Sequence, residues 1–277
     1  MPSSRAVAAL ATLLCLLASP TSAAQDDPAL ERLNSSPRHH EWVEVSVGER
    51  SVHAFVVYPE VAHRAPAVLV IHENRGLTDW VRSVADRLAE EGYVAIAPDL
   101  LSGMAPGGGK TSDFADRDAA RDALYERSQE DVTADLMAVA DWAQAVPAAD
   151  GTLAVGGFCW GGRNTFRFAT NRADLTAAFV FYGSAPEEEG ALETIGCPIY
   201  GFYGGNDARV NATVEPTAER MRAAGKPYDP VTYEGARHGF MRAGESPDAT
   251  EENRRAAEEG WQRWLELLAR HSGDGED

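Results

Sequence analysis

Cys159 stands at the centre of Gly157-Phe158-Cys159-Trp160-Gly161, a glycine-x-nucleophile-x-glycine arrangement built around a thiol. The apolar residues before it predict a strand and those after it a helix, so the thiol is expected in a tight strand-to-helix turn. The glycines have a steric task there, because a side chain would strike the strand or the helix being joined. The turn also puts the sulfur at a helix N-terminus, whose positive end favours thiolate. Cysteine is more often a small apolar filler, so the reading depends on partners. Asp207 closes Gly204-Gly205-Asn206-Asp207 just beyond a predicted strand. His238 lies in Gly235-Ala236-Arg237-His238-Gly239-Phe240, beyond the next one. Singly, they would serve as a helix cap and a surface loop residue. Thiol, carboxylate and imidazole, each following its own strand, are the parts of nucleophilic acyl transfer. The imidazole takes the thiol proton and the carboxylate fixes its tautomer.

The elements that must position these groups alternate along the chain. Trp42–Val47 and Val52–Tyr58 predict a hairpin turning at Gly48-Glu49-Arg50. Ala67–Ile71 is a continuous apolar run, as in a strand buried on both faces. A helix is expected over Asp79–Glu91, capped by Thr78 and stopped at Gly92, and then a strand over Tyr93–Ala97. The glycine-rich stretch from Gly103 to Thr111 predicts a loop, and helices follow over Phe114–Glu126 and Asp131–Val146. Strands at Leu153–Gly157, Ala177–Tyr182, Ile199–Tyr203 and Pro230–Tyr233 are separated by helices at Gly162–Thr170 and Val214–Ala224, and Ala249–Arg270 forms a terminal helix. This order predicts an α/β protein with a mostly parallel central sheet and helices on both faces. The nucleophile–acid–histidine order and the turn at Cys159 point to the α/β-hydrolase fold.

The chain has 277 residues, with 43 Asp and Glu against 25 Lys and Arg, a formal net charge of −18. Such a surface repels phosphate backbones and anionic headgroups, which argues against nucleic-acid and membrane partners. Targeting removes the first residues from the fold. Met1 to Arg5 is short and positive, Ala6 to Ala18 is apolar, and Ser19 to Ala24 is small and polar. That is the order of a secretory signal peptide over residues 1–24, and it implies a secreted or periplasmic protein. Residues 25–41 are expected to form a loose arm, 42–271 a single domain and 272–277 a polar tail. The mature chain keeps Cys159 and Cys197. Both are expected as free thiols, since Cys197 opens a strand and a nucleophile locked in a disulfide is inert.

Six pieces of the sequence carry a resemblance to the dienelactone hydrolase family. They are His72-Glu73-Asn74-Arg75-Gly76-Leu77, Ala97-Pro98-Asp99-Leu100, Gly157-Phe158-Cys159-Trp160-Gly161-Gly162, Phe181-Tyr182-Gly183, Gly204-Gly205-Asn206-Asp207 and Ala236-Arg237-His238-Gly239-Phe240. The resemblance runs from about Trp42 to the last helix. It implies hydrolysis of an ester or lactone through an acyl-cysteine, with Cys159, His238 and Asp207 as the triad. It also implies that Glu73 lies beside the thiol and gates it between resting and activated forms. Arg75 is the expected partner of that carboxylate. The backbone N–H groups of Trp160 and Asn74 are the expected oxyanion donors, and the Trp160 side chain is expected to touch substrate.

Family members acting on dienelactone hold its carboxylate with arginines. Arg242 fits the position after the histidine, and Arg117 and Arg121 both fall in the region of the other. No cofactor is called for. His39, His40, His53, His63 and His72 form no metal set, because no close pair shares a helix face with a carboxylate. The expected partner is a small-molecule ester or lactone, and the expected state a monomer. Thioester or peptide hydrolysis on the same fold, and a non-catalytic binding protein on a hydrolase scaffold, are the alternatives.

Overall fold

A computed structural model describes residues 27–272. The signal-peptide reading of residues 1–24, and all but the first residue of the 272–277 tail, lie outside them. Eight strands form one sheet: β1 His40–Val47, β2 Arg50–Val57, β3 Ala65–Ile71, β4 Val94–Pro98, β5 Ala149–Phe158, β6 Ala178–Phe181, β7 Ile199–Gly204 and β8 Tyr228–Tyr233. Their spatial order is β1-β2-β4-β3-β5-β6-β7-β8. The β1–β2 and β2–β4 pairings are antiparallel and the other five are parallel. The chain order reverses around β3, and an open α/β sheet builds its site beyond the carboxyl ends of such strands.

Helices α1 Pro28–Ser35, α2 Asp79–Glu90, α3 Arg117–Tyr125, α4 Gln129–Ala145, α5 Trp160–Asn171, α6 Ala208–Ala223, α7 Phe240–Gly244 and α8 Glu251–His271 complete the domain. Strand β3 shows how the period of two divides the core. Ala67, Leu69 and Ile71 enter the cluster that takes side chains from α3, α4 and α5. Val68 and Val70 enter the one shared with α1, α2 and α8.

Three local expectations are corrected. The stretch read as a loose arm holds α1, whose N-terminus is capped by the Asp27 carboxylate accepting from Ala29 N–H. It is tied down by the wholly buried Asp86 on α2, which receives bonds from Arg32, Ser36, Arg38 and His40. Desolvation alone would raise the Asp86 carboxyl, but the bonds from Arg38, Ser36 and His40 hold it well below the usual carboxylate range. Helix α6 begins at Ala208, not near Val214, and carries Pro216 inside it. Thr78 occupies the N-cap of α2 but makes no capping bond with its side chain.

Candidate active site

Adjacent strand ends deliver the chemistry-bearing residues. Glu73 and Asn74 follow β3, Cys159 follows β5, Asp207 follows β7 and His238 lies in the loop between β8 and α7. Cys159 adopts φ 57°, ψ −111°, a left-handed backbone that a non-glycine residue holds only when its surroundings impose it. Its N–H donates to the Phe181 carbonyl at 3.0 Å, and its own carbonyl accepts from Arg163 N–H at 3.1 Å. The turn closes because Gly161 has no side chain. A Cβ there would collide with the carbonyl oxygens of Ile71 and His72, so α5 could not lie against the end of β3. Asn164 donates to the Trp160 carbonyl at 2.8 Å and holds the first turn of α5.

The two loops bearing acid and base are laced together. Asn206 N–H donates to the Ala236 carbonyl at 2.8 Å, and Gly205 N–H to the Tyr233 carbonyl at 2.7 Å. His238 Nδ1 bonds Asp207 Oδ2, while Asp207 Oδ1 accepts from Val210 N–H and caps α6. The buried carboxylate therefore directs the Nδ1–H tautomer and leaves Nε2 to act as base.

Burial first, and the Glu73 charge second, push the Cys159 thiol up to about 11. The helix N-terminus does not win this balance, contrary to the thiolate expected from the turn alone. The backbone N–H groups of Trp160 and Asn74 favour its ionised form, as does the field of Arg209. Arg209 was not singled out from the sequence. It is exposed, two residues past Asp207, and bears no ion pair to a carboxylate among the described residues.

Glu73 pairs with Arg242, Nε to Oε2 2.7 Å, and not with Arg75, which is exposed. The reason is direction: Arg75 points outward, while α7 brings Arg242 across the carboxylate. Arg242 is therefore engaged by Glu73 through Nε, while its side chain stays half exposed. Arg121 bonds Asp118 and Asp122 on the outer face of α3. Arg117 on the same helix is exposed and forms no ion pair with a described residue. Neither arginine hydrogen-bonds or ion-pairs with Cys159, Asp207 or His238. The Trp160 side chain is 9% exposed and stacks on the His72 ring at 5.6 Å, so it is a packing residue. Cys159 and Cys197 are both free.

His72, read only as a poor metal ligand, braces the Glu73-Asn74 loop. Its Nδ1 donates to the Glu73 carbonyl at 2.7 Å and its Nε2 accepts from Leu100 N–H at 3.2 Å, which defines a neutral ring. Asp99, expected to stabilise a loop, accepts from the N–H groups of Leu101 and Thr111 and from the Thr111 hydroxyl. Burial pushes the His72 imidazole below its ordinary value. The unfolded chain binds that proton below about pH 6.5, so this contribution to stability is complete above that pH and is lost as pH falls below it. His72→Phe keeps the stack and removes both bonds. It is expected to lower unfolding free energy by about 1–3 kcal/mol at neutral pH. Urea unfolding at about pH 7.5 and about pH 5.5 should show the gap to wild type narrowing at the lower pH. A constant gap would contradict the neutral, braced ring.

A strained turn opening a helix over a mostly parallel eight-stranded sheet, with acid and histidine beyond later strands, defines an α/β-hydrolase. The chain belongs to the dienelactone hydrolase family, which it matches over residues 52–272. A Salmonella typhimurium protein provisionally named carboxymethylenebutenolidase is 34% identical over 232 residues, 79% of this chain and 83% of its own length. A Klebsiella pneumoniae crystal structure provisionally named dienelactone hydrolase superposes with a TM-score of 0.71 at 30% identity, covering 84% of this chain and 99% of that one. The dienelactone hydrolase structure from Anabaena variabilis shares the fold at 21% identity, with a TM-score of 0.65 over 85% of this chain and 99% of its own.

Proposed function

We propose that the protein hydrolyses a small carboxylic ester or lactone through an acyl-cysteine on Cys159. The observation that carries this reading is the strained strand-to-helix turn that holds the Cys159 thiol, with the bonded His238–Asp207 pair delivered by the later strand ends of the same sheet. The resting thiol is neutral, so His238 Nε2 must take its proton as the sulfur attacks the carbonyl carbon. Charge moves to the carbonyl oxygen, which the two N–H groups then hold. One such donor is worth about 2.7–4 kcal/mol of barrier. The ester C–O bond breaks, and the leaving oxygen takes the proton from His238. Water then gives a proton to His238 and attacks the thioester, the C–S bond breaks, and the thiol is restored. Asp207 steadies the imidazolium in both halves.

No cofactor enters this scheme. Residues 1–24 would direct the protein to a secreted or periplasmic location, and it would act there as a monomer. No described helix is long and apolar enough to cross a membrane.

Arg242 has two tasks in this reading: it neutralises Glu73 beside the thiol, and its half-exposed guanidinium would take a substrate carboxylate. Assays with a neutral aryl ester, an anionic lactone, a thioester and an anilide test it. The esters are expected to turn over and the anilide to resist. Arg242→Gln should lower kcat on both esters, because Glu73 is left unbalanced. It should raise KM by about tenfold to a hundredfold for the anionic lactone alone. Equal KM changes would remove Arg242 from substrate binding, and turnover of the anilide but not the esters would replace the ester reading.

A further inference from the structure

Tyr182 follows β6, between the strand that ends at Cys159 and the strand that leads to Asp207. It is the other non-glycine residue among those described with positive φ, at 42°. Strain of this kind costs about 1–3 kcal/mol and persists where a side chain must be held in one direction. The residue is 1% exposed, and its hydroxyl oxygen is buried with no hydrogen-bond partner. Its ring lies edge-on to His238 at 5.0 Å and to Phe240 at 5.4 Å. Its backbone N–H is bound to the Phe202 carbonyl at 2.8 Å. A strained backbone and an unsatisfied buried hydroxyl, both beside the triad histidine, are two unfavourable features with no structural return.

The thiol supplies the need. At rest, the Trp160 and Asn74 N–H groups favour charge on the sulfur. In the proposed reaction both donors pass to the carbonyl oxygen as the sulfur attacks. While His238 draws off the proton, and until the charge passes to the carbonyl oxygen, the sulfur is charged without those donors, with the Glu73 carboxylate opposing that charge. We propose that Tyr182 is a further catalytic residue, whose phenolic O–H donates a hydrogen bond to the Cys159 sulfur as negative charge forms on it. The inference rests on the acyl-cysteine reading. No proton is transferred in this step: the phenol keeps its hydrogen, and the thiol proton goes to His238. Burial first, then the charges of Glu73 and of an ionised Cys159, push the Tyr182 hydroxyl well above its ordinary value. The group is thus a permanent donor and not a base. The charged groups acting on the thiol are Glu73 beyond β3, Arg209 on α6 and Arg242 on α7. None of these is a neutral donor.

Tyr182→Phe removes the oxygen and keeps the ring against His238 and Phe240. Alkylation of Cys159 by iodoacetamide, followed across pH by mass spectrometry with Cys197 as the internal reference, reads the thiolate without needing turnover. The expected result is a profile displaced upward by about one unit, equivalent to about tenfold less thiolate at a given pH. For a neutral aryl ester, kcat should fall by about tenfold to a hundredfold with KM little changed. The melting temperature should stay level or rise, because an unsatisfied buried group has been removed. Superimposable alkylation profiles would overturn the inference, as would a lower melting temperature with unchanged kcat. If the profile shifts but no ester is turned over by wild type, the hydrolase reading fails and the contact to sulfur stands. If esters turn over and the profiles coincide, Tyr182 alone is excluded.

Discussion

Cys159→Ala is expected to abolish ester hydrolysis, lowering kcat by about 10⁴-fold or more, as loss of a triad nucleophile does elsewhere. The fold should survive. The sulfur is only partly buried against the aromatic core, and alanine meets the same backbone demand at φ 57° as cysteine does. Unfolding free energy should therefore change by no more than about 1 kcal/mol. Cys159→Ser is the sharper variant. A hydroxyl is a far weaker acid than a thiol, and this site already opposes ionisation through burial and Glu73. Serine should be strongly impaired although it fits the turn. Near-normal activity of the serine variant would mean that the environment of the sulfur has been misread, and half-normal activity of the alanine variant would take Cys159 out of the mechanism.

The second large effect is expected at the acid. Asp207→Asn keeps an oxygen that can cap α6 at Val210 N–H, so the helix and the melting temperature should change little. The amide cannot stabilise an imidazolium, and its N–H₂ would favour the wrong histidine tautomer. A fall of about 10⁴-fold in kcat follows from the same substitution in the serine-protease triad. Steady-state kinetics on a neutral aryl ester, together with thermal unfolding, checks both halves. Activity within about tenfold of wild type would show that His238 does not depend on Asp207 for its orientation.

The parts of the site legible in the sequence are those where backbone geometry forces residue type. Gly157 and Gly161 are required by the turn whatever the substrate, and they marked Cys159. The apolar runs of β3 and β5 are buried on both faces, so they stood out without alternation. Asp207 was readable because it follows the buried run of β7, and His238 because it lies beyond the next strand in the nucleophile–acid–histidine order. What stayed hidden depends on side-chain direction and burial. Glu73 lies two residues from Arg75 in sequence, but 169 residues separate it from its partner Arg242. The direction of the Cys159 shift is set by burial, which a helix-terminus argument does not contain. Tyr182 sat in a quoted motif without a role, since neither its φ nor its unsatisfied hydroxyl can be read from Phe181-Tyr182-Gly183. Helix α1 was missed because its anchor, Asp86, is remote in sequence, and α6 was started late although it runs from Ala208 through Pro216. Arg117 and Arg121 were matched by region alone, and region does not distinguish an inward face from an outward one.

The central claim is an acyl group carried on Cys159. Purified protein mixed with an activated aryl ester, quenched in acid within the first turnovers and digested, can be read by mass spectrometry for the added acyl mass. The account predicts that mass on the peptide containing Cys159 and not on the one containing Cys197. It also predicts that the adduct accumulates when Asp207→Asn slows its removal. Steady release of the phenol with no acyl mass on Cys159, or with the mass on a serine, would contradict it.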